Sequence, residues 1–145
     1  MCCSEHDLVL NNTCRTAQVS PFLITYDALE NVPIVDAAIA HDSDITGKTY
    51  LLICQNALYF QSMDHNFIPP FIMREANVTV NKVPKIQNED LDVTHHSIWF
   101  PDSKFFIPLS LREMFSYFLT RIPTREELLS SKDVLMLMPH SQTWN

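Results

Sequence analysis

The chain has 145 residues, of which 46% are hydrophobic and 19% are charged, and its formal net charge is −7. It contains a single glycine, Gly47, where average composition would give about ten. Phosphate-binding loops, dinucleotide-binding loops and the GxSxG nucleophile motif are excluded, because each needs at least two glycines. The net negative charge repels phosphate groups, and no group of lysine or arginine residues compensates for it. We therefore expect no direct binding of nucleic acid.

The cysteine pattern predicts a reduced, cytoplasmic protein. Cys2, Cys3, Cys14 and Cys54 form no CxxC pair, and the first residues have neither the basic start nor the apolar core of a secretory signal. The spacing of Cys3, His6 and Cys14 matches no structural zinc pattern, so we expect no metal and no cofactor. No apolar run is long enough to cross a bilayer, so we expect no membrane partner.

In chain order, residues 1–20 predict a poorly structured N-terminal segment, because they mix polar residues with one short apolar run. The following β-branched and aromatic runs predict strands. They are Pro21–Tyr26, Val32–Ala40 and Thr49–Cys54, with Ala57–Phe60 as a short extension. The polar residues 41–48, which include Gly47, lie between two of these strands and predict a hairpin.

The second half of the chain predicts one helix, further strands and a second helix. Pro69 and Pro70 can open a short helix that ends near Asn77. Thr124 and Glu127 have the spacing of a capping box and predict the start of the second helix. The remaining predicted segments are a strand over 78–83, a polar loop over 84–94, strands over 97–100 and 105–111 around a turn at 101–104, and a frayed tail from Pro139. The chain thus divides into an N-terminal segment (1–20), a β-domain (21–123) and a C-terminal helix with its tail (124–145).

One aspartate has the setting of a catalytic residue. Asp36 follows the apolar run of residues 33–35, as the catalytic aspartate of an acid protease follows a strand. Such proteases need the sequence Asp-Ser/Thr-Gly, because the backbone must turn sharply beside the carboxylate. Asp36 is followed by Ala37 and Ala38, and no Asp-Ser/Thr-Gly occurs in the chain. An active aspartic peptidase would therefore depend on an atypical aspartate.

Ordered sequence blocks resemble those of a known family. Asn56-Ala57-Leu58-Tyr59 stands at the start of the family pattern N-x-L-Y-x-P, and His65-Asn66-Phe67-Ile68 stands where the family has H-N-L followed by an apolar residue. Further similar blocks are IVDAAIAHD (34–42), TGKTY (46–50), MDHNFIPPFIMREA (63–76), HSIWF (96–100), IPL (107–109) and FSYFLTRIPT (115–124). Over roughly residues 20–145 the chain resembles the copia-type retrotransposon Gag-Pol polyproteins of diatoms and other protists.

The resemblance implies the later part of a retropepsin-like aspartic protease region that lacks the catalytic motif and is inactive alone. The implied fold is mainly β, an incomplete acid-protease β-barrel with hairpins and two short helices. The hairpin between the two central strands would correspond to the flap that closes over substrate. Its residues are Asp42, Ser43, Asp44, Thr46 and Gly47.

Two alternatives to the inactive fragment remain open: the active peptidase with an atypical aspartate, and a non-enzymatic β-domain that pairs strands with another polypeptide. Retropepsin-like domains pair two subunits, so the resemblance also implies self-association. We expect the apolar segments Tyr50–Cys54 and Phe105–Leu109 to present strand edges without partners, and association to increase with ionic strength.

Overall fold

A computed structural model describes residues 1–21, 25–82 and 93–139 of the chain. Within these ranges the protein is mainly β, as predicted, with ten strands and two short α-helices. The elements are β1 (Cys2–Cys3), β2 (Leu8–Val19), β3 (Leu29–Asp42), β4 (Thr49–Tyr59), α1 (Pro70–Glu75), β5 (Thr79–Lys82), β6 (His96–Phe100), β7 (Phe105–Pro108), β8 (Ser110–Arg112), β9 (Phe115–Tyr117), α2 (Arg125–Ser130) and β10 (Val134–Met136). The described strands form three open sheets and no closed barrel.

The largest sheet has five strands, and β3 and β4 form its centre. β2, β3 and β4 are antiparallel neighbours, whereas β1 and β10 both run parallel to β4. The predicted hairpin between Val32–Ala40 and Thr49–Cys54 is confirmed, and its strands are longer than predicted because the second one continues to Tyr59. A three-stranded sheet, β5-β6-β7, and the two-stranded hairpin β8-β9 complete the β structure.

The N-terminal segment is a correction to the sequence analysis. Residues 1–20 were expected to be poorly structured, but they contain β1 and the 12-residue strand β2. β2 lies at the edge of the sheet, and most of its side chains are exposed. It lacks the alternation of a half-buried strand, because backbone pairing with β3 rather than side-chain burial holds it in place.

The core lies between the large sheet and the three-stranded sheet. Buried side chains of β3, β4, α1, the β5-β6-β7 sheet and β10 form one cluster. Its aromatic centre is a stacked pair, Tyr50 and Phe105, with ring centroids 3.8 Å apart. Segment Tyr50–Cys54 has β3 on one side and β10 on the other, so the expected free edge there is wrong. β7 lies at the edge of its sheet, although the side chains of Phe105 and Ile107 are buried.

Both predicted helices form. α1 begins with Pro70 at its first turn, and α2 carries the predicted capping box between Thr124 and Glu127. The predicted strand over 105–111 is divided at Leu109, whose N–H donates to the carbonyl of His96 over 2.8 Å. No helix among the described residues is both long and apolar enough to cross a membrane. Half of the predicted strand over 21–26 lies outside the described residues, and its described residues 21, 25 and 26 are not part of a strand. Most of the loop over 84–94 and the tail after Pro139 also lie outside the described residues.

Candidate functional site

The turn between β3 and β4 lies at Asp42, Ser43, Asp44, Thr46 and Gly47, the residues for which the resemblance implies a flap, and we call it the flap-like hairpin. The N–H of Ser43 donates to the carbonyl of Lys48 over 2.9 Å, and the N–H of Gly47 donates to the carbonyl of Ser43 over 2.8 Å. Gly47 has a φ of +66°, which L side chains adopt only with strain. The side chain of Ser43 is buried, whereas those of Asp44 and Thr46 are exposed.

One arginine fixes the base of this hairpin. Arg121 donates to both carboxylate oxygens of Asp42, at 2.7 and 2.9 Å, and to both carboxylate oxygens of Glu127, at 2.9 and 2.6 Å. We call Asp42, Arg121 and Glu127 the Arg121 clamp. Two-pronged guanidinium–carboxylate contacts are the most geometrically specific of charged hydrogen bonds. The clamp therefore joins the end of β3 to the first turn of α2.

The electrostatics of the clamp follow from these hydrogen bonds. Donation from Arg121 lowers the pKa of Asp42 from 3.8 to about 2, and it lowers the pKa of Glu127 from 4.5 to about 2. The hydrogen bonds to Glu127 and Asp42 raise the pKa of Arg121 above its ordinary value. The side chains of Arg121 and Asp42 are 39% and 55% exposed, so water and salt screen their attraction.

Backbone contacts extend the clamp into a strap of residues 119–124 along the sheet edge. Arg121 and Ala40 exchange two backbone hydrogen bonds, at 2.8 and 2.9 Å. His41 Nδ1 lies 2.9 Å from the carbonyl oxygen of Leu119, and the His41 ring meets that of Phe118 edge-on. A shallow cavity of about 390 Å³ lies beside the hairpin base and is lined by Lys48, Thr49, Glu127, Ser130, Ser131, Lys132 and Asp133. The clamp and the strap thus hold the base of the hairpin, whereas residues 44–48 at its tip are exposed.

Asp36, the candidate catalytic aspartate, lies opposite an irregular part of β4 and accepts hydrogen bonds there. β4 carries one extra residue opposite it, and Asn56 in this β-bulge has a φ of +52°. Asp36 Oδ1 accepts from the N–H of Asn56 over 2.9 Å, and Oδ2 accepts from the side chain of Asn11 over 3.3 Å. Arg15 donates to the side-chain oxygen of Asn56. Both oxygens of Asp36 therefore satisfy donors around the irregular part of the sheet.

A second polar cluster, which the sequence analysis did not identify, is buried near the N-terminus. We call Ser4, Asp7 and Asn66 the Asp7 cluster. The N–H of Ser4 donates to Asp7 Oδ2 over 3.2 Å and to Asn66 Oδ1 over 2.9 Å, and Asn66 Nδ2 donates to Asp7 Oδ1. Ser4 Oγ also donates to Asn66 Oδ1 over 2.9 Å. Ser4 and Asp7 are buried, and burial raises the pKa of Asp7 above 3.8.

The cysteines do not form a reactive or metal-binding group. Cys3 and Cys54 are buried in the core, and burial raises the pKa of both thiols far above the ordinary range. All four cysteines are free, and Cys14 is exposed on β2. Within the described part of the chain, no three His, Cys, Asp or Glu side chains are grouped so that they could hold a metal ion. The thiols of Cys3 and Cys54 therefore act as apolar core groups rather than as nucleophiles.

The hairpin β8-β9 presents an uncovered apolar surface. Exposure alternates along residues 115–119: Phe115, Tyr117 and Leu119 are exposed, whereas Ser116 and Phe118 are partly buried. We call Phe115, Tyr117 and Leu119 the β9 face. Ser116 Oγ lies 2.9 Å from His96 Nε2, which ties the opposite face of β9 to β6. The exposed face of β9 is therefore apolar, whereas its opposite face carries the polar side chain of Ser116.

The sequence predicted the turn between β3 and β4 and the capping box, and it missed Arg121 and the Asp7 cluster. Arg121 lies three residues before Thr124, the first residue of the capping box, so its position is a usable signal, whereas Ser4, Asp7 and Asn66 have the composition of ordinary surface residues. No protein-family model, curated protein or solved structure matches the chain.

Proposed function

We propose that this chain is a catalytically inactive, retropepsin-like β-domain of a copia-type retrotransposon polyprotein, and that it acts by contacting another polypeptide. The resemblance described above supports the family. The blocks 34–42 and 46–50 lie on β3 and on the hairpin that leads into β4, and the block 115–124 contains β9 and the strap. The blocks thus coincide with the elements that build the sheet and the clamp.

The position of Asp36 carries the proposal that the domain is inactive. A catalytic aspartate must present a free carboxylate oxygen to water and share a proton with a second carboxylate. Asp36 instead accepts hydrogen bonds at both oxygens, from Asn56 and Asn11. Asp42 is engaged by Arg121 in the same way. The hydrogen bonds of Asp36 stabilise the sheet and those of Asp42 stabilise the clamp, which supports the proposal that neither carboxylate takes part in a reaction.

The β9 face supports the polypeptide contact. Phe115 and Tyr117 are 65% and 42% exposed, and Met114 at the tip of the same hairpin is 91% exposed. An isolated two-stranded hairpin is marginally stable in water, and contiguous exposed apolar side chains mark interaction surfaces. This face replaces the segment Tyr50–Cys54, which β3 and β10 cover, as the surface through which the domain would associate.

A peptidase assay tests the inactive part of the proposal. We expect no cleavage of peptides at acidic or neutral pH and no binding of pepstatin, for the native chain and for Asp36→Asn alike. Asp44→Asn is the control, because Asp44 lies exposed in the flap-like hairpin. Pepstatin-sensitive cleavage that disappears only in Asp36→Asn would establish the peptidase and overturn the proposal.

Sedimentation at low and high salt tests the association. We expect self-association to increase with ionic strength, because salt screens the repulsion between copies of net charge −7. The double substitution Phe115→Ser with Tyr117→Ser should weaken it, whereas Phe71→Ser, at an exposed phenylalanine on α1, should not. A monomer at both salt concentrations would contradict association through the β9 face.

A further inference from the structure

The six methionines of the chain differ widely in exposure. Met73 and Met138 belong to the core and are 3% and 4% exposed. Met114 is 91% exposed, the largest value for any large apolar side chain among the described residues. The other three methionines are partly buried: Met1, Met63 and Met136. A reagent dissolved in water therefore reaches the thioether sulfur of Met114 more easily than that of any other methionine.

The fold itself gives no reason for an apolar residue at this position. Glu113 and Met114 form the two-residue turn between β8 and β9, which the pair of Arg112 and Phe115 closes. Such turns favour glycine, asparagine and aspartate, and Glu113 has a φ of +56° here. The Met114 side chain does not cover the core, and Phe115 next to it is 65% exposed. Two adjacent exposed apolar side chains at a turn suit a contact with another molecule.

The charges at the tip of the hairpin β8-β9 fit a second copy of the chain. Arg112 and Glu113 are adjacent in sequence, exposed and opposite in charge. In a twofold contact the same surface of both copies meets, so Arg112 of each copy can approach Glu113 of the other. Elsewhere a net charge of −7 on each chain makes two copies repel each other. The tip thus combines apolar side chains with charges that complement those of an identical tip.

We propose that Met114 is an oxidation site: hydrogen peroxide converts its thioether to the sulfoxide, and the sulfoxide weakens the association of the β9 face with a second copy of the chain. This control rests on the association proposed above for the β9 face. Met114 precedes that face directly, at the turn that leads into Phe115. A change of polarity at Met114 therefore acts at the border of the same contact.

The reaction needs no catalytic group from the protein. The sulfur lone pair attacks one oxygen of hydrogen peroxide, a sulfur–oxygen bond forms, and the O–O bond breaks. The proton of the transferred oxygen passes to the departing oxygen, which leaves as water. The sulfur loses two electrons and the peroxide gains them. Methionine sulfoxide reductases restore the thioether, so the modification is reversible.

Oxidation affects the contact through the polarity of the new oxygen. In a separate copy the sulfoxide oxygen accepts hydrogen bonds from water, whereas an apolar contact buries it without a donor. We therefore expect the dissociation constant of the pair to rise about tenfold. Association in turn covers the sulfur of Met114, so it should slow the oxidation, since the two events are linked through the same contact.

Peptide mapping by mass spectrometry after treatment of the folded chain with hydrogen peroxide tests the site. At low salt we expect Met114 to be oxidised at least about tenfold faster than Met73 and Met138, which the core covers. At high salt, which favours association, the oxidation of Met114 should slow, whereas that of the partly buried Met63 should not change. Equal rates for Met114 and the two core methionines would overturn the site.

Sedimentation of the oxidised chain tests the control of association. Before each run the peroxide is removed, and any disulfide formed by the exposed Cys14 is reduced with a thiol. The association of the native chain should weaken about tenfold after the treatment. That of Met114→Leu should not change, because leucine is apolar and is not oxidised by peroxide. Met114→Gln, which has a polar side chain, should associate weakly without peroxide.

The outcomes separate this control from the association itself. If the native chain associates and oxidation weakens it no more than it weakens Met114→Leu, the control by Met114 is overturned, while association through the β9 face stands. If the native chain is a monomer at both salt concentrations before any treatment, the proposed association is contradicted and the control by Met114 is overturned with it.

Discussion

The Arg121 clamp and the Asp7 cluster both connect distant parts of the chain, but the pKa values of their carboxyl groups are shifted in opposite directions. Each joins segments far apart in the chain: 79 residues separate Asp42 from Arg121, and 62 separate Ser4 from Asn66. The clamp is partly exposed and charged, so its carboxylates have lowered pKa values. In the Asp7 cluster, burial of the Asp7 carboxyl raises its pKa, although the hydrogen bonds that it accepts act in the opposite direction. The surroundings, not the residue type, decide which protonation state stabilises the fold.

The largest effect of a single substitution is expected in the buried cluster. Asn66→Ala removes the acceptor of the Ser4 N–H and hydroxyl and a donor to Asp7. The Ser4 N–H keeps Asp7 Oδ2 as an acceptor, but the buried Ser4 hydroxyl and Asp7 Oδ1 lose Asn66 as a partner, which should lower the free energy of unfolding by about 2–3 kcal/mol. Urea denaturation measures this. Asn11→Ala is the matched control, because Asn11 is exposed and donates one 3.3 Å hydrogen bond, and its effect should stay within about 0.5 kcal/mol.

A smaller loss is expected at the tip of the flap-like hairpin. A Cβ at Gly47 would meet no atom within 4 Å, so its φ of +66° is the only cost of a side chain there. Gly47→Val should destabilise the protein by about 1 kcal/mol or more, because β-branched residues tolerate this region poorly. Gly47→Asn should lose less, since asparagine enters the left-handed region more readily. Equal melting temperatures for all three proteins would contradict a strained turn.

The clamp should contribute less than the buried cluster, although it has more hydrogen bonds. Arg121→Ala should lower the free energy of unfolding by about 1 kcal/mol, the upper part of the range for exposed ion pairs. Salt should shrink this difference, whereas the effect of Asn66→Ala should hardly depend on salt. Arg125→Ala, at an exposed arginine of α2, is the control. A salt-independent loss in Arg121→Ala would mean that packing, not charge, dominates the clamp.

The smallest expected effect is the pH dependence of the stability that the clamp contributes. Its carboxylates have lowered pKa values, whereas the pKa of Asp7 is raised, so the two regions respond to pH in opposite directions. The folded pKa values of Asp42 and Glu127, about 2, lie below the ordinary values of 3.8 and 4.5. The stability that the clamp contributes is therefore present above about pH 4.5 and is lost as the pH falls towards about 2. The difference between the native chain and Arg121→Ala in urea denaturation should shrink over this window. A difference that grows on acidification would contradict the clamp.

Local signals in the sequence predicted the elements that depend on neighbouring residues. The polar turn with Gly47 and the spacing of Thr124 and Glu127 specify backbone geometry within a few positions, and both elements form. β1 and β10 were missed because each is only two or three residues long and depends on parallel pairing with β4. Such pairing is decided by distant parts of the chain and leaves no local periodicity.

The candidate site divides in the same way. The sequence located the flap-like hairpin, but nothing near Asp42 indicates that its partner is Arg121, 79 residues later. The apolar run before Asp36 predicts a catalytic setting. The hydrogen bond that Asp36 accepts in the structure comes from the β-bulge at Asn56, which depends on the pairing of two strands. Asp7 has no sequence feature that distinguishes a buried aspartate from an exposed one. Its role depends on Asn66, which only the folded chain brings to it.

The parallel pairing of both β1 and β10 with β4 has a consequence for the order of folding. β4 obtains its neighbour β3 through a hairpin, which closes quickly because the loop is short. Its other edge stays open until residues 134–136, about eighty positions later, reach Leu51–Ile53. Until then the part of this edge at Leu51–Ile53 is apolar and unpaired, and only its end at Leu58 and Tyr59 has β1 as a neighbour. Contacts of this separation slow folding, and an apolar strand edge that stays open until they form is prone to pair with other chains.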